Sequence, residues 1–131
     1  MSTSALKKTR KHYIYGMLFC IIFALIYEVF SHSVISYAMV LSFLWPMVGG
    51  VMLFTLLMKA PASRRPSVAA VLLYNSGIVL FTLGSIFQGV LEIYGTTNRL
   101  QKVYVVGGAF FLMSGVLTYV LQSLFCTQKE N

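Results

Sequence analysis

Long apolar runs alternate with short polar stretches along the chain. A membrane-spanning helix needs about 20 mostly apolar residues, because the hydrocarbon core is about 30 Å thick and each helical residue rises about 1.5 Å. Four runs are long enough, at about residues 13–30, 34–58, 68–93 and 103–125. The pattern therefore predicts an all-α membrane protein with four transmembrane helices.

The polar links between these runs are brief. Pro61 and Pro66 stop the second helix and delay the third, and Gly95 follows the third run as an expected C-terminal cap. Short links force neighbouring helices to run antiparallel. The chain, residues 1–131, is thus predicted to be a single transmembrane domain, an up-down-up-down four-helix bundle.

Composition and charge agree with a lipid environment. The chain is 58% apolar and only 10% charged, which is too apolar for a soluble domain of this length. Its cations lie at the ends of the apolar runs and not in a nucleic-acid-binding patch, so no nucleic acid is expected as a partner. Tyr13 and Tyr74 are predicted near a membrane interface, where amphipathic rings prefer to lie.

The distribution of cations predicts the orientation. Four cations precede the first run and three lie in the second link, whereas only Arg99 and Lys102 lie in the third link. Because cytoplasmic loops are rich in Lys and Arg, both termini are expected to be cytoplasmic, in a cytoplasmic (inner) membrane. The first run continues through Glu28 without a small-x-small cleavage pattern, so it is expected to stay as a helix and not to be cleaved as a signal. The four N-terminal cations are expected to contact anionic lipid headgroups: Lys7, Lys8, Arg10 and Lys11.

The two halves of the chain resemble each other. Shifting the first run onto the third places Glu28 on Glu92, and a nearly equal shift of the second onto the fourth places Gly49 on Gly115. The chain is therefore interpreted either as a duplicated helical hairpin or as two hairpins that share residues only through their common composition.

Small residues recur at helical spacing and predict where helices pack. Close helix contact in lipid is favoured by small side chains, which let two backbones approach. On the first helix Gly16, Cys20 and Ala24 lie on one stripe that ends at Glu28. The other predicted packing positions are Gly49 on the second helix, Gly77 and Gly84 on the third, and Gly108 and Gly115 on the fourth. Pro46 is expected to kink the second helix.

Glu28 and Glu92 are the candidate chemical groups. Each lies in the last turn of a helix, where the helix dipole disfavours a carboxylate. Compensation is expected either from a cation, with His32 and Arg99 as candidates, or from protonation. Two interpretations remain open: the glutamates mark the outer membrane boundary, or they form an outer-leaflet ligand or ion site with Gln88, and with Asn75 deeper on the inner half.

Other chemistries find little support in the sequence. The chain contains no aspartate, so no Ser-His-Asp set exists, and its glycine pairs lack the Lys and Ser/Thr of a phosphate loop. His12 and His32 are predicted on opposite sides of the membrane, which excludes a bis-histidine haem site within one chain. No enzyme activity, metal or cofactor is therefore expected.

Three functions follow in order of expectation. The first is association through helices, as a homo-oligomer or as an accessory subunit of a membrane complex. The second is a small transporter or ligand-binding protein with an outer-leaflet polar pocket around Glu28, Gln88 and Glu92. The third is a redox or quinone-associated subunit that uses His32 and neighbouring aromatic rings.

Three segments carry a resemblance. The stretch Tyr27-Glu-Val-Phe-Ser-His32, with residues 73–77 and 84–98, resembles uncharacterised small four-span bacterial integral membrane proteins. The resemblance implies a bacterial cytoplasmic membrane and no catalytic function.

Overall fold

The computed structural model describes residues 2–129, with the side chain of Lys129 left out, and it confirms the all-α prediction. The protein is 86% helical, and the described residues contain no strand. The four helices are α1 (Thr3–Phe30), α2 (Tyr37–Lys59), α3 (Val68–Tyr94) and α4 (Gln101–Lys129). Each is long and apolar enough to cross a bilayer, so this is a multi-pass membrane protein with a four-helix bundle.

Helix α1 begins well before its apolar run. Ser2 caps it by accepting a hydrogen bond from the backbone N–H of Ala5, and the Lys and Arg residues that follow are good helix formers. Its 28 residues rise about 42 Å, which exceeds the roughly 30 Å of a hydrocarbon core. The first turns therefore extend beyond the hydrocarbon, although Leu6 within them is fully buried.

Helix α2 departs from regular α-helical geometry around Pro46. Its successive segments are α-helical (Tyr37–Val40), 3₁₀ (Leu41–Phe43), α-helical (Leu44–Pro46), π-helical (Met47–Met52) and again α-helical (Leu53–Lys59). Proline has no N–H to donate, so the regular hydrogen-bond ladder is interrupted at this point. The irregularity that the sequence predicts at Pro46 takes the form of a π-helical segment that contains Gly49 and Gly50.

The helices pack in chain order, α1 on α2, α2 on α3 and α3 on α4, and the last of these contacts is the most extensive. We name the two ends of the bundle by their charges. The basic end holds the start of α1 and the α2–α3 link, with Lys7, Lys8, Arg10, Lys11, Lys59, Arg64 and Arg65. The glutamate end holds Glu28, Glu92 and the other two links.

The predicted glycine seam joins α3 to α4. A Cβ added to Gly77 would lie 2.7 Å from the backbone nitrogen of Leu112, and one added to Gly115 would lie 2.6 Å from the backbone nitrogen of Tyr74. Gly84 approaches the Cβ of Tyr104 in the same way. Such contacts place the two backbones closer than any side chain would allow, and Gly108 lies in the same seam, where an added Cβ would lie 3.3 Å from the carbonyl oxygen of Gly77.

The stripe on α1 is confirmed only in part. Cys20 and Ala24 are buried, but a Cβ on Gly16 would meet nothing within 4 Å. The packing role predicted for Gly16 is wrong because α1 packs on α2 through the adjoining face, which carries Leu6 and Tyr13. Gly49 does pack as predicted, since its Cβ would lie 2.5 Å from Cδ1 of Ile78 on α3.

A hydrophobic core lies toward the basic end. It is formed by Leu6, Tyr13, Phe54, Val71 and Ile78, so it draws residues from α1, α2 and α3. The rings of Tyr13 and Phe54 stack with their centroids 5.5 Å apart. Tyr13 and Tyr74 therefore pack within the bundle and do not extend from its surface, and their predicted depth near a membrane interface stays a prediction.

Both ends of α3 are capped. At the basic end Gln122 of α4 accepts from the backbone N–H of Ser67 (2.8 Å) and donates to the carbonyl of Arg65 (3.1 Å). At the glutamate end Gly95 caps the helix with a φ of 68°, as predicted, a conformation that favours glycine.

Whether the two hairpins are duplicated stays a prediction; they differ in that α2 is interrupted and α4 is continuous.

Candidate functional site

A hydrogen-bond network of side chains surrounds Glu92 at the glutamate end. The hydroxyl of Ser36 donates to Oε2 of Glu92 at 2.5 Å, and Nε2 of Gln88 donates to Oε1 at 2.9 Å. Gln101 of α4 donates in turn to Oε1 of Gln88 at 2.5 Å. This network links the start of α2, the end of α3 and the start of α4. Both carboxylate oxygens of Glu92 therefore already have hydrogen-bond partners within the protein.

The Ser36 hydroxyl forms two hydrogen bonds, one as donor and one as acceptor. Only 1% of its surface is exposed, and its hydroxyl oxygen caps α2 by accepting from the backbone N–H of Met39 at 3.3 Å. A serine at this position therefore stabilises the start of α2 and orients the Glu92 carboxylate at once.

Replacing Ser36 by alanine is expected to lower the free energy of unfolding by about 1–2 kcal/mol, because a helix cap and a donor to a carboxylate are lost together. Unfolding of the purified protein by sodium dodecyl sulfate, followed by circular dichroism, measures the difference. Ser76→Ala is the matched control, since the exposed Ser76 hydroxyl donates only to the carbonyl of Leu72 in its own helix. Equal effects of the two substitutions would contradict the bridging role of Ser36.

The other residues of the predicted site do not take part in this hydrogen-bond network. Oε1 of Glu28 is buried and has no hydrogen-bond partner among the described residues. His32 lies exposed in the α1–α2 link with a φ of 52°, and Arg99 lies exposed in the α3–α4 link. Within residues 2–129 neither cation forms an ion pair with Glu28 or Glu92, so the predicted counter-charges are not found. Gln88 and Glu92 are brought together, whereas Glu28, His32 and Arg99 are not.

A pocket of about 300 Å³ lies beside Gln88, between α2, α3 and α4. Trp45 lines it and donates from its indole N–H to the hydroxyl of Ser85 at 2.8 Å. Gln101 and Tyr104 complete its α4 wall. Neither Glu28 nor Glu92 lines this pocket, so its polar groups are amides and hydroxyls without a free carboxylate.

A larger cleft, of about 400 Å³, runs between α1 and α3 with Pro46 of α2 at its floor. It exists because α1 and α3 both pack on α2, and because Gly16 has no side chain to fill the space. Several of its walls are half-exposed, including Phe19 (59%) and Val79 (51%), so the cleft opens on the surface of the bundle.

Most polar groups of the cleft lie toward the basic end. Thr9, His12, Tyr13 and Asn75 line that part, and Phe19, Leu83 and Ile86 line the part toward the glutamate end. Thr82 lies beside Leu83 in the latter part and donates to the carbonyl of Ile78 in its own helix. The Tyr13 hydroxyl crosses from α1 to α3 and donates to Oδ1 of Asn75 at 2.6 Å. The cleft is thus amphipathic along the membrane normal.

No protein family, curated protein or solved structure matches this chain. Its function is therefore inferred from the geometry of its clefts and polar networks. Within the described residues no group of three His, Cys, Asp or Glu side chains could hold a metal ion.

The π-helical segment of α2 adjoins the cleft. The Tyr74 hydroxyl donates to the carbonyl of Gly49 at 2.9 Å, and the ring of Tyr13 covers Gly50 so closely that a Cβ there would overlap it. Because π-helical segments are frequent at functional sites, the position of this segment beside the α1–α3 cleft supports the cleft as a candidate site.

Sequence reasoning pointed to the opposite end of the molecule. The glutamates were the predicted site because acidic residues are rare in this sequence. The cleft depends instead on Gly16, Tyr13 and Asn75, none of which is charged. The sequence did indicate Asn75, but as the deeper member of the polar site around the glutamates. A strongly polar side chain within an apolar run needs a hydrogen-bond partner in lipid. The partner, Tyr13, could not be found without the fold.

Proposed function

We propose that this protein is a non-enzymatic membrane protein that binds an amphipathic, membrane-resident molecule in the cleft between α1 and α3. The observation that carries the proposal is the cleft itself, with about 400 Å³ of space, an opening on the lipid-facing surface and most of its polar groups at one end. The proposal keeps the ligand-binding hypothesis of the sequence but moves the site from Glu28, Gln88 and Glu92 to the basic end.

The dimensions of the cleft favour a ligand with one polar head and one apolar chain. From Thr9 to Cys20 the cleft follows α1 for about 16 Å, close to the roughly 15 Å of one hydrocarbon leaflet. A head at Thr9 and His12 would place the chain beside Phe19 and Leu83. Such a ligand can enter sideways from the bilayer, without passing through water.

The orientation predicted by the cations places this head on the cytoplasmic side. The basic end carries the N-terminal cations and those of the α2–α3 link, and such loops are cytoplasmic by the positive-inside rule. We therefore propose a cytoplasmic membrane location with both termini inside. The ligand then belongs to the cytoplasmic leaflet.

Binding is favoured over catalysis by the contents of the cleft. The Cys20 thiol and the His12 imidazole are about 12 Å apart along α1, which is beyond hydrogen-bond reach. The Thr9 hydroxyl, one turn from His12, donates to a backbone carbonyl of its own helix and not to the imidazole. The Tyr13 hydroxyl donates to Oδ1 of Asn75, so it is not a free nucleophile. The groups present can position a polar head but are not arranged as a nucleophile and its base.

The substitution Gly16→Leu tests this function. The leucine enters open space and raises helix propensity, so the variant is expected to fold while its side chain fills the cleft. Native mass spectrometry of protein extracted in mild detergent is expected to show a retained lipid on the wild type and at least tenfold less on Gly16→Leu.

Ala109→Leu provides the matched control. Ala109 is an exposed residue of α4, so leucine there adds similar bulk to a lipid-facing surface outside the cleft. This variant is expected to retain lipid as the wild type does. A folded Gly16→Leu protein with wild-type lipid retention would overturn the proposed function.

Association with another membrane protein or a second copy is the second candidate. It is favoured by α4, whose extensive helix contact among the described residues is with α3 alone. Its other faces are apolar and exposed, as at Phe110, Leu117 and Leu124. Crosslinking in native membranes is expected to give a discrete larger species if α4 is an interface, and monomer alone would argue against it.

A further inference from the structure

We infer that the occupant of the α1–α3 cleft is an anionic phospholipid of the leaflet at the basic end, with an acyl chain in the cleft and its phosphate at Lys8 and His12. The inference rests on the proposed function and adds the ligand class. It depends on which charges surround the mouth of the cleft and on how they are directed around α1.

Charge complementarity favours an anion at this mouth. The two carboxylates that the structure describes, Glu28 and Glu92, both lie at the glutamate end. No acidic residue precedes Glu28 in the sequence, whereas four cations lie within residues 7–11. Those cations therefore have no carboxylate beside them on the first part of α1, and an anionic headgroup would supply the missing charge.

The spacing along α1 singles out Lys8. It precedes His12 by four residues, so the two side chains lie on the same side of the helix, at the end of the cleft. Lys7 points away, since Thr9 and His12 define the cleft face and position 7 lies nearly opposite on the helical wheel. Lys11 is directed over the ring of Tyr15, 5.8 Å from its centroid, on an exposed face.

Among the described residues that line the mouth, the hydrogen bonds already made leave two free donors, the His12 imidazole and the Asn75 side-chain N–H groups, and only His12 lies on α1 beside Lys8. The Thr9 hydroxyl donates to the carbonyl of Ala5 at 3.1 Å, and the Tyr13 hydroxyl donates to Asn75. The exposed imidazole of His12 and the ammonium of Lys8 can both donate to phosphate oxygens. A zwitterionic headgroup would bring its own cation toward this basic surface, and a neutral quinone would leave the charge uncompensated.

The inference is tested with the full-length protein, delipidated in detergent and offered phosphatidylglycerol, phosphatidylcholine of the same chains and a neutral isoprenoid quinone at equal concentrations. Native mass spectrometry is expected to show at least tenfold more phosphatidylglycerol than either competitor on the wild type. Lys8→Ala is expected to lower the phosphatidylglycerol-to-phosphatidylcholine ratio about fivefold. Lys7→Ala, which removes the same charge from the opposite side of the helix, is expected to change the ratio less than about twofold.

The outcomes separate the two proposals. Equal binding of both phospholipids, preference for the quinone, or equal effects of Lys7→Ala and Lys8→Ala would overturn the phospholipid inference. If binding under those outcomes is still abolished by Gly16→Leu, the cleft remains the ligand site. If Gly16→Leu binds each lipid as the wild type does, the proposed function itself fails.

Discussion

Replacement of Gly77 by alanine is expected to lower the free energy of unfolding by about 2–3 kcal/mol, the upper range for overpacking of a well-packed interior. The added Cβ would lie 2.7 Å from the backbone nitrogen of Leu112 and 2.9 Å from the carbonyl oxygen of Gly108. Because both neighbours are backbone atoms, no rotamer change can relieve the overlap. The α3–α4 seam must open along its length, which loses dispersion contacts that drive helix association in lipid.

Two other glycines of the chain are matched controls for this prediction. A Cβ on Gly107 would make an ordinary contact of 3.5 Å with Leu80, and a Cβ on Gly16 would meet nothing within 4 Å. Alanine at either position is expected to leave stability unchanged or to raise it by up to about 1 kcal/mol, through its higher helix propensity. Unfolding in mixed detergent micelles, monitored by circular dichroism, compares all three variants. A Gly77→Ala protein as stable as Gly107→Ala would show that the helices do not meet at this seam.

The helices were predictable because the membrane limits their composition so strongly. Apolar runs of the required length predicted which residues form α3 and α4. The glycines spaced along these two helices predicted the face on which they pack together. The start of α1 was not predictable from hydropathy, since its first turns are basic. Those turns are helical because Ser2 caps them and because Leu6 is buried against α2, which is a tertiary contact.

The candidate site was less accessible from the sequence than the fold. Glu92 and Gln88 do meet, but the partner that completes the carboxylate's hydrogen bonds is Ser36, which comes from another helix and carries no charge. The cleft is created by an absence of packing between α1 and α3. Spacing along one helix reports which residues share a face, but it cannot report how far the next helix stands from that face.

Removal of the Tyr13 ring is expected to lower the free energy of unfolding by about 3 kcal/mol, as for other large aromatic truncations in packed interiors. Tyr13 is only 8% exposed, and its ring stacks on Phe54 and covers Gly50. Tyr13→Phe keeps the ring and loses only the hydrogen bond to Asn75, so its expected effect is about 0.6 kcal/mol, the average for such bonds in membrane proteins. The same unfolding measurement applied to both variants separates packing from hydrogen bonding.

The contact between Tyr13 and Gly50 makes the effects of substitution non-additive. Gly50→Ala is expected to destabilise the wild type strongly, because its Cβ overlaps the Tyr13 ring, yet to be tolerated when Tyr13 is already alanine. Such rescue requires that the π-helical segment of α2 and the side chain of α1 occupy the same space. If Gly50→Ala is equally destabilising in both backgrounds, the cost arises within α2 itself. The ring of Tyr13 would then not hold α1 against the π-helical segment that follows Pro46.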